Sequence, residues 1–461
     1  MMKLRLLMVT LSLFLFSQSL WAQPAPTADP QDGIFLDIGS AGVRRIKIAL
    51  PMLQGDSGRG KTTRPALDAA VHDEFKKLLD FTMSFDVVAP ESFPQSADAY
   101  AVPLPAERWK SLGVELVVHG SIQPEGAGTR SFEFRLYDAN KARLIVGKKF
   151  GKVTDNEVGT VVKRFADLMM KELTGQLGIF STKIAFAAAP KPGKAKEIFI
   201  ADFDGSNLVQ VTNDGVPTMS PSWSPDGSKL TYTSFKNGRA RIYVFNLVTR
   251  KSYVLSRGTG NTSGANWHPD GKTIAYSMSN EGKTSIYTMR SFDGSDVKTL
   301  VQGSGLEVEP SYSPDGRFLA FASGRFGNPH LFVRDLQSGQ DTRITFAGWY
   351  NSSPEWRPDG KKMIFAGYDR QIGRYDLFHV NPDGRQLERL TLDQGDNENP
   401  TYSPDGRFIL FQSNRADGGG KGKRQGYRLY IMTRDGAGQR PLNLPFADVT
   451  MPSWSPYLVG L

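Results

Sequence analysis

From residue 221 onward the chain repeats one short phrase six times. PSWSPDG begins at Pro221, ANWHPDG at Ala265, PSYSPDG at Pro310, PEWRPDG at Pro354 and PTYSPDG at Pro400, and a shortened PSWSP begins at Pro452. The aromatic residue of each copy falls at Trp223, Trp267, Tyr312, Trp356, Tyr402 and Trp454, with spacings of 44, 45, 44, 46 and 52 residues. A period of about 40 to 50 residues is that of β-propeller blades, each a supersecondary unit that buries its faces only against its neighbours.

The residues between the phrases read as strands. Runs such as KLTYTS, RIYVFNL and SYVLS are rich in β-branched and aromatic residues and are separated by turn chemistry. Pro-Asp-Gly supplies one turn per repeat, since Pro fixes φ and Asp-Gly tolerates the conformation that follows. Further turns are expected at Asp204-Gly205, Asp293-Gly294 and Asp383-Gly384, and GGGKGKRQG over 418–426 reads as an enlarged hairpin loop that accounts for the longest spacing. Counting strands predicts how the ring closes. KIAFAAA, EIFIADF and LVQVT, between residues 183 and 212, lack an inner strand, and the terminal PSWSP lacks outer ones. Together they make a sixth blade and remove two open sheet edges.

Residues 33–178 differ in kind. Strand patterns (GIFLDI, RRIKIAL, ELVVHGSI, FEFRLYD) mix with two amphipathic helical ones, ALDAAVHDEFKKLLD and DNEVGTVVKRFADLMMKELTG, which predicts a small α/β domain. The expected fold class is therefore two-domain: α/β at 33–178, then a six-bladed β-propeller over 179–461 closed by its C-terminal strand. Ahead of both, Met1 to Ala22 has the basic start, the 11-residue apolar run (Leu6–Phe16) and the small-residue exit of a secretory signal peptide. That run is far short of the roughly 20 residues of a spanning helix. Residues 23–32, rich in Pro and Ala, read as a flexible extension. An exported chain with no Cys is held by its core and not by disulfides. Cleavage removes Lys3 and Arg5, and with them two of the nine net positive charges. A mildly basic surface of this kind favours an acidic partner, but the basic residues are scattered and read mostly as solvated, and without Lys/Arg runs interleaved with aromatics they mark no nucleic-acid footprint.

Enzyme signatures fare poorly. Gly55 to Thr62 (GDSGRGKT) matches the phosphate-binding G-x-x-x-x-G-K-[ST] pattern, but Pro65 stands where the helix should be under way and ELVVHG ends in His119-Gly120, not in a magnesium-binding Asp. A solvated loop is the expectation, and Lys61 should not bind nucleotide. The five His residues, at 72, 119, 268, 330 and 379, are far apart with no H-E-x-x-H spacing, so no metal site is expected. Asp202-Phe-Asp204-Gly205 lacks the further acids of a calcium loop and reads as a hairpin turn. Propellers also accompany serine peptidases, whose separate domain carries G-x-S-x-G; that pentapeptide is absent, leaving an exported hydrolase or peptidase accessory protein as the alternative reading. No cofactor, catalytic residue or small-molecule substrate is expected.

The residues resemble the TolB family. The features that carry this are the SPDG repeats, Lys171-Glu-Leu-Thr-Gly175 running into Ser181-Thr-Lys-Ile-Ala-Phe186, Met219 to Leu230, and the closing Pro452-Ser-Trp-Ser-Pro-Tyr-Leu458. The SPDG repeat alone is common to many propellers; the order of α/β domain, junction and closing strand is the specific part. The resemblance implies a periplasmic protein whose propeller binds the lipoprotein Pal and whose mature N-terminal segment, here Ile34, Leu36 and Ile38, engages TolA. It also implies a role in outer-membrane integrity and cell division, with other outer-membrane proteins as further partners. The extension Gln23 to Asp32 and the three residues after Leu458 depart from the family pattern.

Blade topology places a partner surface independently. The loop from the outer strand of one blade to the inner strand of the next opens on one face around the central channel. Those loops carry Asn261, Thr262 and Ser263; Glu307 and Glu309; Tyr350, Asn351 and Ser352; and Asp396, Asn397, Glu398 and Asn399, with Trp349 or Tyr350 as an anchor. They are expected to be exposed. Asp270 and Asp315 lie in turns on the opposite face.

Overall fold

The computed structural model describes residues 44–50, 53, 65–93, 106–303, 305–416 and 423–458. The leader, Ile34, Leu36 and Ile38, and the Gly55–Thr62 loop lie outside these residues.

The α/β domain is built on β1 (Ile46–Ala49), β2 (Phe85–Val87), β3 (Leu116–Pro124), β4 (Arg130–Asp138) and β5 (Arg143–Val153), in the order β2-β1-β3-β4-β5. β1 runs parallel to β2 and β3, and the remaining pairs are antiparallel. Helices α1 (Pro65–Thr82) and α3 (Val158–Thr174) cover one face, where Phe75 and Phe165 meet Phe134 of β4 at ring separations of 5.3 and 5.4 Å. The opposite face is sealed by Trp109 of the short α2 (Ala106–Lys110), packed with Phe93, Val117 and Tyr137. A 3-10 turn, Asp155–Glu157, leads into α3 and carries a capping box, in which the Thr154 amide and hydroxyl both donate to the Glu157 carboxylate, at 2.9 and 2.7 Å. α3 stops at Gly175, whose φ of +79° only glycine adopts without strain. β5, β2 and α2 were not foreseen; β5 breaks its apolar residues with Lys148, Lys149 and Lys152 and carries Gly147 and Gly151.

The propeller has six four-stranded antiparallel sheets. Their innermost strands, numbering the blades 1 to 6, are Thr218–Trp223, Asn261–Trp267, Glu307–Tyr312, Tyr350–Trp356, Asn397–Tyr402 and Val449–Trp454. In blade 6 the innermost strand pairs with Lys183–Ala188, which is followed outward by Glu197–Asp202 and Val209–Gln210. The strand arithmetic of the sequence is thus met. The expanded hairpin of blade 5 is not a loop throughout: its third strand begins at Lys423, paired with Arg415.

The cores lie between blades. Ala185, Ala187, Ile198 and Ile200 of blade 6 pack with Trp223, Leu230 and Tyr232 of blade 1, and the same pattern recurs around the ring. Burying each such side chain contributes about 1.5–3 kcal/mol. The repeated aromatic ties neighbouring inner strands together. The Trp223 indole donates to the Ser453 carbonyl and that of Trp356 to the Ser311 carbonyl, both at 3.1 Å. In Ser-Pro-Asp-Gly the serine hydroxyl donates to the aspartate two residues on, and that carboxylate accepts the amide two residues further, as in Ser313, Asp315 and Arg317. The Asp-Gly turns between third and fourth strands need glycine for a second reason. A Cβ on Gly294 would lie 2.0 Å from the Leu255 carbonyl oxygen of the preceding blade.

Candidate functional site

Antiparallel strands alternate direction, so turns between first and second and between third and fourth strands lie on one face, and the other connections lie on the opposite one. The α/β domain docks on the first face, at blades 5 and 6. Asp202 ends the third strand of blade 6, and its carboxylate accepts Lys163 of α3 at 2.6 Å and Lys183 at 2.7 Å. Burial pushes this carboxyl up, but the two lysines outweigh it and hold it below the usual carboxylate range. Asp204, in the turn that follows, pairs with Lys77 of α1 at 2.5 Å. Beside it Phe81 of α1 wedges between Phe203 and Phe408, and Arg440 of blade 5 donates to the Phe81 carbonyl at 2.5 Å. The Asp202–Gly205 turn foreseen from the sequence is therefore also the seat of the domain junction, which local pattern did not reveal.

The opposite face carries the residues singled out from the sequence, in an arrangement that differs from the expected exposed ring. The inner strands begin earlier than the loops were drawn, at Asn261, Glu307, Tyr350 and Asn397. Thr262, Glu307, Asn351, Ser352, Asp396 and Asn397 are consequently buried. Thr262 shares a hydrogen bond with Ser256 at 2.6 Å, Glu307 accepts the Ser323 hydroxyl at 2.9 Å and pairs with Arg325, and Asp396 accepts the Asn414 amide at 2.9 Å. Their polarity serves the strand ends. Asn261 is exposed, whereas Ser263, Tyr350 and Glu398 are half-buried; Trp349 is 43% exposed.

Glu309 and Asn399 belong to a different feature. Three residues before each repeated aromatic stands a residue with positive φ: Ser220, Gly264, Glu309, Ser353, Asn399 and Met451, all between +48° and +62°. Each coincides with a register break between first and second strands, a β-bulge that turns the side chain toward the channel. The Ser353 amide donates to Glu309 at 2.6 Å and the Ser353 hydroxyl to Asn399 at 3.1 Å. Burial pushes the Glu309 carboxyl up, and the charge of Glu398 adds to this, while the Ser353 bond opposes it. The expectation of Glu309 as a freely exposed loop carboxylate is corrected: it sits in the channel wall.

Among the described residues no group of three or more His, Asp or Glu side chains gathers at metal-binding range, and no helix is long and apolar enough to cross a membrane.

Two family models match the chain in the order the fold presents them, the TolB amino-terminal domain over residues 35–145 and the TolB β-propeller domain over 170–458. The chain belongs to the TolB family. Among TolB relatives, the Tol-Pal system protein TolB of Bordetella pertussis is 29% identical over 438 residues, covering 86% of this chain and 95% of its own. The TolB homolog of Chlorobium luteolum is 31% identical over 426 residues, covering 92% and 93%. The crystal structure of TolB from Acinetobacter baumannii superposes with a TM-score of 0.75 at 26% identity, over 90% of this chain and 97% of that one. The TolB resemblance read from the junction and the closing strand is thus established at the level of family and fold.

Proposed function

We propose that this TolB-family chain is a periplasmic, non-enzymatic binding protein of the Tol–Pal system, which takes Pal on the open propeller face and TolA on its N-terminal segment. One observation carries the reading: the α/β domain occupies the face of the Pro-Asp-Gly turns, at blades 5 and 6, so its described residues leave the opposite face and the channel mouth uncovered. On that face Asn261, Ser263, Tyr350 and Glu398 are the foreseen residues that reach the surface, with Trp349 beside them. An aromatic anchor within a polar rim is the usual anatomy of a protein interface. The buried Thr262, Glu307, Asn351 and Asp396 act by fixing the strand ends. Ile34, Leu36 and Ile38 remain the proposed TolA-binding segment, and support for outer-membrane integrity and cell division follows from joining the two partners.

The test is surface plasmon resonance of the mature chain over immobilised Pal from the same organism, with and without Tyr350→Ala. Saturable binding weakened by the substitution supports the reading. Absence of binding, or turnover of a peptide by the purified chain, overturns it in favour of the hydrolase alternative.

A further inference from the structure

Each blade stacks an aromatic pair from its second and third strands, and most blades cap that pair from the open face. In blade 1 the Lys236 ammonium lies 4.1 Å from the Tyr243 ring, beside Tyr232. In blade 3 the Arg325 guanidinium lies 4.7 and 5.4 Å from Phe332 and Phe321. In blade 5 Arg415 lies 4.3 and 5.4 Å from Tyr430 and Phe411. Each cation stands thirteen residues after the repeated aromatic, and its backbone amide donates to a serine two residues before it. Each guanidinium also finds an acceptor at the start of the inner strand: Arg415 donates to the Asn397 side-chain oxygen at 2.7 Å and Arg325 to Glu307 at 3.2 Å. Blade 6 uses Phe446 instead, 4.6 Å from Phe199.

Blade 4 has the pair, Phe365 and Phe378 at 5.5 Å, but no cation at the position that Lys236, Arg325 and Arg415 fill; Arg389 of its fourth strand lies 5.7 Å from the Phe378 ring instead. Gly367 and Asp369 occupy the serine and cation positions. Above the rings a pocket of roughly 440 Å³ opens, lined by Asn351, Gly367, Asp369, both phenylalanines and two arginines, Arg370 and Arg389, with Trp349 beside them. Asn351 matches Asn397 and Glu307 in register. It is 99% buried, at 1% exposure, and its amide nitrogen faces acceptors on Ala347, Thr345 and His330, while among the described residues its side-chain oxygen receives no donor. Both arginines are already engaged. Arg389 is paired with Asp376 and touches the edge of the aromatic floor at Phe378, and Arg370 stacks on Trp349 at 4.3 Å. Asp369 accepts only the Gln371 amide and has no ion pair among the described residues.

We infer that this pocket receives an arginine side chain from a protein partner. The guanidinium stacks on Phe365 and Phe378, donates to the Asn351 oxygen and meets Asp369 at the mouth, reproducing from outside what Arg325 and Arg415 do from within. Cation–π stacking and a charge-assisted bond to a planar fork suit arginine over lysine. The inference does not depend on which protein binds the face.

The experiment titrates the mature chain with N-acetyl-arginine amide and follows the side-chain amide resonances of Asn351 by NMR, with N-acetyl-citrulline amide and N-acetyl-glutamate amide as controls. The expected result is saturable binding of the arginine probe with a Kd in the millimolar range, weaker binding of citrulline and none of glutamate. Asp369→Arg, which places a cation where blades 1, 3 and 5 carry theirs, loses the Gln371 turn bond and should melt below the parent, while its folded fraction binds the probe about tenfold more weakly. Asp369→Asn keeps the turn bond and should fall between. No saturation by about 50 mM, equal binding of glutamate, or unchanged affinity in Asp369→Arg overturns the inference. Because Pal is absent from the titration, failure here leaves the preceding function standing.

Discussion

The indole N–H of Trp454 donates to the Thr182 hydroxyl at 2.9 Å, across 272 residues of sequence. Nearby, Ser455 accepts the Lys183 amide at 2.9 Å and Tyr457 donates to the Leu177 carbonyl at 3.0 Å. The last strand is thus fixed to the domain junction as well as to blade 6. Trp454→Ala is expected to cost about 3–5 kcal/mol. Deletion of 451–461 is expected to abolish cooperative unfolding, read by denaturant titration; a truncated chain that melts like the parent contradicts the closure.

Two groups on Tyr402 give opposite pH dependences. Glu355 accepts the Tyr402 amide at 2.7 Å, and burial pushes its carboxyl up to about 7. The native state then keeps a proton that the unfolded chain has released, so stability falls as pH rises from about 4.5 to 7. Glu355→Gln keeps the acceptor and removes the buried charge. It should stabilise by on the order of 2 kcal/mol above pH 7, with no gain below pH 4.5.

His379 lies 2.6 Å from the Tyr402 hydroxyl, and burial lowers its imidazole to about 3, helped by Lys362 and Arg357. Here the unfolded chain takes the proton first. The contribution of the neutral ring is complete above pH 6.5 and is lost as pH falls toward 3. His379→Gln should flatten that acid limb in melts recorded from pH 7 to 4, whatever it does to stability at pH 7.

Removing Asp202 leaves Lys163 facing the junction without its short ion pair. Asp202→Ala should cost about 3 kcal/mol. It should also separate the melting of the α/β domain from that of the propeller in calorimetry. A single transition displaced by less than about 0.5 kcal/mol contradicts the assigned role of the junction.

For the partner face, Asn261→Lys and Tyr350→Ala should weaken Pal binding, and Asn261→Lys should change stability by under about 0.5 kcal/mol because its position is exposed. Asp270→Ala and Asp315→Ala remove turn acceptors on the face that bears the α/β domain and should destabilise without changing the affinity of the folded fraction. Plasmon resonance on both sets separates the faces, and loss of binding confined to the turn variants inverts the assignment.

The blades were legible because Trp223 and its counterparts recur at a fixed interval, and their closure because strands can be counted. The burial of Glu307 and Asn351 was not, since a polar residue at a strand end looks the same in sequence whether it faces water or caps a buried edge. Glu309 was misplaced because nothing local announces a left-handed bulge in a strand; only the six-fold comparison of Ser220 to Met451 does. Lys163 and Asp202 are 39 residues apart and meet through docking, which no periodicity encodes. The substitution of Gly367 and Asp369 for the Ser-x-Lys/Arg of blades 1, 3 and 5 was present in the sequence, but it acquires meaning only when the blades are in register and the aromatic pair beneath is known.

Five of the six blades are assembled from strands that follow one another, whereas blade 6 takes its innermost strand from 449–454 and the others from 183–210. Drawing those segments together closes a loop of some 260 residues, at an entropic cost of about 5 kcal/mol. A chain delivered N-terminus first cannot satisfy that sheet until its final segment arrives. Until then, Lys183–Ala188 presents an open edge of main-chain donors and acceptors. A product that stops before residue 449 therefore keeps that edge open, and limited proteolysis is expected to cut it faster than the chain whose sixth blade is filled.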